Sequence, residues 1–179
     1  QLACIPHSEN SQAAENFACY PVRRLDAEVL IDAICQITGT TESYSSIIPE
    51  PYTFLPDGQR AVTLPDGSIS SSFLEMFGRP SRDTGLESER SNRLTAAQAL
   101  HLLNSNHLRN KLKRGAAIND LIRGAANPEA VAESLYLAIL ARRPTAEERA
   151  LASGLCGHED GARDAAWALI NSDEFLFRH

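Results

Sequence analysis

"RRLDAEVLIDAICQITG", residues 23–39, decides the fold class. Leu25, Val29, Leu30, Ala33, Ile34 and Ile37 recur at helical spacing, and Gly39 stands where a left-handed residue would end the helix. The next stretch, "IIPEPYTFLPDGQRAVTLPDGSIS" (47–70), has a different character. It carries four prolines and repeats "LPDG" at 55–58 and 64–67. Proline presets φ, aspartate bonds back to the chain and glycine accepts positive φ, so each tetrad predicts a turn, with "RAVTL" a short extended piece between them. Asp57 and Asp66 lack the spacing of a calcium loop.

Further along, "SISSSFLEMFG" predicts a serine-capped short helix ending at Gly78. "LTAAQALHLLNSNHLRNKLKRG" (94–115) predicts one long helix with a Thr95/Gln98 capping box and an apolar face of Ala96, Leu100, Leu103, Leu108 and Leu112. Asn127 and Pro128 open a helix striped by Val131, Leu135, Ala138 and Ile139, which ends at Arg142-Arg143-Pro144. Thr145 and Glu148 form a second capping box. In "DGARDAAWALINSDEFLFRH" the run Ala165–Ile170 is apolar all round and predicts a buried helix, with Ser172 capping a final short turn. The expected fold is mainly α: an irregular helical bundle with a Pro/Gly-rich excursion at about residues 40–69 and little or no sheet. An N-terminal arm (1–22) would precede a single helical domain (23–179).

The composition agrees. Hydrophobic residues make up 43% of the 179 positions and aromatics only 6%, a balance that favours helices packed through small contacts. A net charge of −6 argues against binding nucleic acid by neutralising phosphates. The one basic patch, "RNKLKRG" (109–115), sits where a helix C-terminus welcomes positive charge. No apolar run is long enough to span a membrane. "QLACIPHSEN" lacks the features of an intact signal peptide and starts without methionine, so the expectation is an excised domain or a processed product.

The residues do not spell out a reaction. No nucleophile elbow, phosphate loop or dinucleotide fingerprint is present. Asp83, Glu87 and Glu89 could be nominated as paired carboxylates, but their spacing equally fits a solvated loop. The histidines form no H-x-x-x-H or H-E-x-x-H arrangement. His101 and His107 would lie on different faces of one helix, so no shared metal is expected. Of four cysteines, Cys35 reads as a small buried hydrophobe. Cys4 and Cys19 flank a polar segment and are either joined by a disulfide or free. Arg23, Arg24 and Glu28 could pair with Arg79, Glu87, Glu89, Arg90, Gln98 and Asn104, as a rigid structural network or as a ligand site. At the tail, Phe175, Leu176 and Phe177 cannot share one side of a helix. They and His179 would form either a packed helix end or a docking element.

Read in order, "RRLDAEVLIDA", "FGRPSRD…ER", "QALHLLN", "ILARRPTAEE" and "WALINSDEFLFRH" resemble the planctomycete-type C-terminal domain of unknown function, from about residue 20 to the end. The resemblance implies a companion domain of unknown function upstream, often with a cytochrome-c-like module, in large exported proteins. Any haem would then sit on a separate module, and this chain would hold no cofactor. Many members carry cysteines just before the "ER" dipeptide where this chain has "GLESER" (85–90), so any role of those cysteines is missing here. The resulting expectation is a non-catalytic structural or interaction module of a larger exported bacterial multidomain protein, with companion domains as partners. The alternative is a subdomain of a hydrolytic or carbohydrate-binding enzyme using the Arg/Glu-rich loop 79–90.

Overall fold

A computed structural model describes residues 23–46, 48, 52–64, 68–79, 90, 91 and 93–178. The arm with Cys4 and Cys19, the loop residues Glu87 and Glu89, the second "LPDG" turn and His179 lie outside the described residues. The fold is mainly α. Strand β1 (Arg23–Arg24) leads into helix α1 (Ala27–Thr38), which Gly39 ends at φ 69° while its N–H donates to the Cys35 carbonyl. Leu30, Ile31 and Ile34 on α1 are almost fully buried. Each apolar side chain buried to this extent contributes about 1.5–3 kcal/mol. Val29, expected in the stripe, is exposed instead, while Glu28 and Asp32 are buried. Hydrophobic periodicity is blind to carboxylates that find partners inside.

The excursion after α1 returns as a β2 (Ser45–Ser46) to β3 (Ile69–Ser70) antiparallel pair. Between these strands "RAVTL" is not extended: Ala61–Thr63 form a 3₁₀ turn. The reason lies outside the stretch. Asp32 of α1 accepts from the backbone N–H groups of Ala61 (2.7 Å) and Val62 (3.1 Å), which caps the turn from another element. Gly58, in the first "LPDG", adopts φ 75° as the turn requires. Helix α2 (Ser72–Met76) is capped by Ser71, whose side chain accepts from Leu74 N–H, and Gly78 follows at φ 94°.

The long helix expected over 94–115 is two. Helix α3 (Ala96–Asn104) carries the expected Thr95/Gln98 capping box, then the chain breaks at Ser105, which caps α4 (Asn106–Arg114) by accepting from Leu108 N–H. The break rotates the faces. Gln98 and Leu102 are buried on α3, whereas Leu100 and Leu103 are exposed; Leu108 and Leu112 are buried on α4 as expected. Because the cap satisfies a donor that a through-helix would satisfy itself, Ser105→Ala should lower stability by about 1 kcal/mol in urea unfolding. No change there would mean that packing alone sets the break.

A corner at Gly115 starts α5 (Ala116–Gly124), which the sequence reading did not anticipate. Helices α6 (Pro128–Leu140), α7 (Ala146–Leu155) and α8 (Glu159–Ile170) pack on one another, and α4 and α5 bridge them to α1. Helix α6 buries Val131, Ala132, Leu135, Tyr136 and Ile139 but leaves Ala138 exposed. Helix α8 is not buried all round: Ala162, Ala165, Ala166 and Ile170 face the core, while Trp167 and Leu169 are half-buried.

The tail corrects the packed-helix expectation in part. Ser172 caps α9 (Asp173–Leu176) as read, but the chain then extends as β4 (Phe177–Arg178). It pairs antiparallel with β1, placing Arg23 opposite Arg178 and Arg24 opposite Phe177. Phe175 enters the core, and Leu176 and Phe177 are half-buried.

Candidate functional site

Helix α1 positions two polar clusters. In the first, Arg24 extends from β1 over the Phe77 ring, 5.1 Å from its centroid. Its guanidinium donates to Gln98 Oε1 and, at 2.6 Å, to the Phe77 carbonyl. Burial lowers its pKa, with Asp26 opposing. Gln98 has two jobs: its Oε1 also closes the α3 capping box at Thr95 N–H, and its amide donates to the Met76 carbonyl at 2.9 Å.

In the first turn of α1, Glu28 receives a fork from Arg90 at 2.8 and 2.9 Å and faces Arg79 Nε at 3.3 Å. Arg79 also donates to the Ile69 carbonyl at 2.9 Å. Burial alone would raise the Glu28 pKa. The hydrogen bond from Arg90, with the Arg90 and Arg79 charges, instead holds it below the ordinary carboxylate value. The structure thus brings together Arg24 with Gln98, and Glu28 with Arg79 and Arg90. Arg23 is exposed on β1, and Asn104 is exposed at the end of α3 and takes no part.

The second cluster was not foreseen. The break at Ser105 folds α4 back so that His101 Nε2 and His107 Nδ1 stand 3.4 Å apart. Their separation onto different faces, expected of a continuous helix, does not hold. Glu42, in the loop after α1, meets His107 Nε2 at 2.8 Å and Lys111 Nζ at 3.0 Å. Lys111 is buried and also reaches the Thr41 carbonyl (2.8 Å) and Cys35 Sγ (3.3 Å). The basic patch therefore sends one of its cations inward, beyond its part at a helix end. Burial raises the Cys35 thiol pKa, with Lys111 opposing. Burial would also raise Glu42, but the bonds from His107 and Lys111 hold it low. Burial, then His107, lowers His101.

The one local signal for this cluster was "NSN" at 104–106, three cap and turn formers in a row. Beside the cluster an open cavity of about 410 Å³ is lined by Asp32, Cys35, Glu42, Tyr44 and Arg60, and the Tyr44 hydroxyl has no hydrogen-bond partner among the described residues. No group of three metal-ligating side chains occurs among the described residues.

A third set of charges is structural in its placement. Arg142 forks to Glu148, the capping-box residue of α7, and to Glu174 of α9, joining three helix ends. The hydrogen bond from Arg142, reinforced at Thr145, brings Glu148 down to about 2.

In a mainly helical frame, Arg24 thus closes on an amide and a carbonyl, and Arg79 and Arg90 close on the Glu28 carboxylate. The chain belongs to the family described as PSD1, a protein of unknown function (DUF1553), whose model matches residues 5–156. The match takes in most of the arm at 1–19 that lay outside the recognised motifs, and stops before the closing "WALINSDEFLFRH". No curated protein and no solved structure matches the chain. Among the described residues no helix is long and apolar enough to cross a membrane.

Proposed function

We propose that this domain is a non-catalytic interaction module of a larger exported bacterial protein and that it docks on a companion domain of the same polypeptide. The observation that supports this most is the outward face of α3. Leu100 is 57% exposed, Leu94, just before the helix, is 64% exposed and Leu103 is 40% exposed. Leu94 and Leu103 border an apolar groove of about 300 Å³ completed by Leu102, Leu176 and Phe177. A helix that shows its leucines to water is an interaction surface waiting for cover. The nearby charges Arg24 and Glu28 are already engaged within the chain. The pairing of β1 with β4 brings residues 23 and 178 together at the rim of the groove, so a segment joined there starts beside it.

Hydrogen exchange tests the reading. Residues 94–104 and 172–178 should gain protection in the intact polypeptide relative to this chain alone, and Leu100→Glu with Leu103→Glu should remove the gain without unfolding the domain. Equal protection in both forms, or turnover of a substrate by the domain, would overturn it.

A further inference from the structure

Helix α3 is lightly held. Its buried residues are Gln98 and Leu102, and its last turn meets the domain through Leu102 and His101. His101 lies edge-on to Phe73 of α2 and to Phe77 just after it, with centroids 5.7 and 6.0 Å away, and its Nε2 faces His107 Nδ1. We propose that the His101–His107 contact is a proton-operated latch, which holds α3 on the domain at neutral pH and releases it in mild acid. Its regulatory meaning rests on the docking role of α3 given above, whereas the latch itself is a property of this chain alone.

The hydrogen-bond roles explain why. Glu42 accepts from His107 Nε2, which assigns the proton to that nitrogen and leaves Nδ1 as an acceptor for His101 Nε2–H. The pair can take up one proton and keep its contact, because one facing nitrogen still offers a lone pair. A second proton turns both facing nitrogens into donors and sets two cations 3.4 Å apart, so the contact cannot persist.

The surroundings do little to soften this. From the loop, Glu42 sits beyond His107, and Lys111 of α4 already shares its carboxylate. From α2 and its C-terminal cap come the Phe73 and Phe77 rings, which carry no charge. From β1, Arg24 reaches α3 one turn earlier, at Gln98, and adds a further positive charge. Burial and His107 lower the His101 pKa. Because the folded His101 takes up its proton less readily, the contribution of the contact is complete above the ordinary imidazole value and is lost as falling pH brings the second proton to the pair. A helix with few other anchors then opens locally before the domain does.

Hydrogen exchange of the isolated chain at about pH 7.5 and about pH 5, either side of the ordinary imidazole value, reads the latch. After correction for intrinsic rates, protection of 96–104 should fall relative to that of 128–140. His101→Gln keeps a neutral donor and should abolish the differential loss. Parallel loss in both helices, or an unchanged acid response in His101→Gln, overturns the proposal. Ring-carbon NMR of the unsubstituted chain gives an independent reading: the His101 ring should titrate in more than one step, and a simple single titration of His101 refutes the latch even if the variant misfolds. Neither measurement involves a partner, so the latch and the docking surface stand or fall separately.

Discussion

Glu28→Ala should lower the melting temperature by roughly 6–12 °C, the equivalent of about 3 kcal/mol in a domain of this size. Three elements meet at this one carboxylate: α1 supplies Glu28, the turn after α2 supplies Arg79, and Arg90 comes from beyond the following loop. The Glu28 and Arg79 side chains are each only 9% exposed, so the alanine variant leaves cationic charge in a poorly solvated place without its counter-ion. Desolvation, more than the lost attraction, makes the effect large. Glu28→Gln separates the two terms. It retains an acceptor for Arg90 but no charge, and should cost less than half as much.

The pH dependence carries a definite sign. Because the folded Glu28 pKa lies below the ordinary carboxylate value, its contribution is complete above the unfolded value of about 4.3 and is lost as pH falls through the folded one. The gap in melting temperature between the unsubstituted chain and Glu28→Gln should therefore narrow as the solution is made acidic below about pH 4. A gap that is flat across this range would mean that Glu28 acts through shape alone.

What the sequence showed depended on how local each cause was. Caps announce themselves: Thr95/Gln98, Asn127-Pro128, Thr145/Glu148 and Ser172 all lie where their side chains bond, within one turn. Pairings across the fold were invisible. Asp32 capping the turn at Ala61, β4 joining β1 from the other end of the chain, and Lys111 turning inward to Glu42 leave no periodicity to detect. The Arg24–Gln98 and Glu28–Arg79–Arg90 contacts were anticipated as residue types, because buried arginine forks need carboxylates and amides. Asn104 was included on type alone, and the break at Ser105 carries it to the surface. The same break created the histidine contact. A continuous helix would keep six-residue neighbours apart, and one serine cap reverses that geometry.

Gly115→Ala should be as damaging as loss of Glu28, for a reason with no charge in it. Gly115 sits at the α4–α5 corner with φ −63° and ψ 128°, a conformation any residue adopts, so backbone strain plays no part. Space does. A Cβ there would stand 2.2 Å from the Thr38 carbonyl oxygen and 2.6 Å from that of Lys111, both backbone atoms that cannot swing aside. Gly39 reaches the same junction from α1, and a Cβ on it would lie 2.6 Å from Ala117 N. Two glycines therefore let the end of α1 touch the corner backbone to backbone. An added methyl must push them apart, at about 3 kcal/mol, the upper part of the range for overpacking. Gly154→Ala is the contrast: a Cβ there would meet no atom of another element within 4 Å among the described residues, so the methyl should stabilise by about 0.5–1 kcal/mol through helix propensity. Urea midpoints at constant slope measure both. The corner substitution should also have a chemical signature. Burial is the largest influence holding the Cys35 thiol pKa up, so separating α4 from α1 should expose Cys35 and speed its reaction with an aromatic disulfide, with Cys156 as internal reference. If Gly115→Ala leaves both the midpoint and the thiol rate unchanged, the close approach of α1 to the corner is not what fixes this junction.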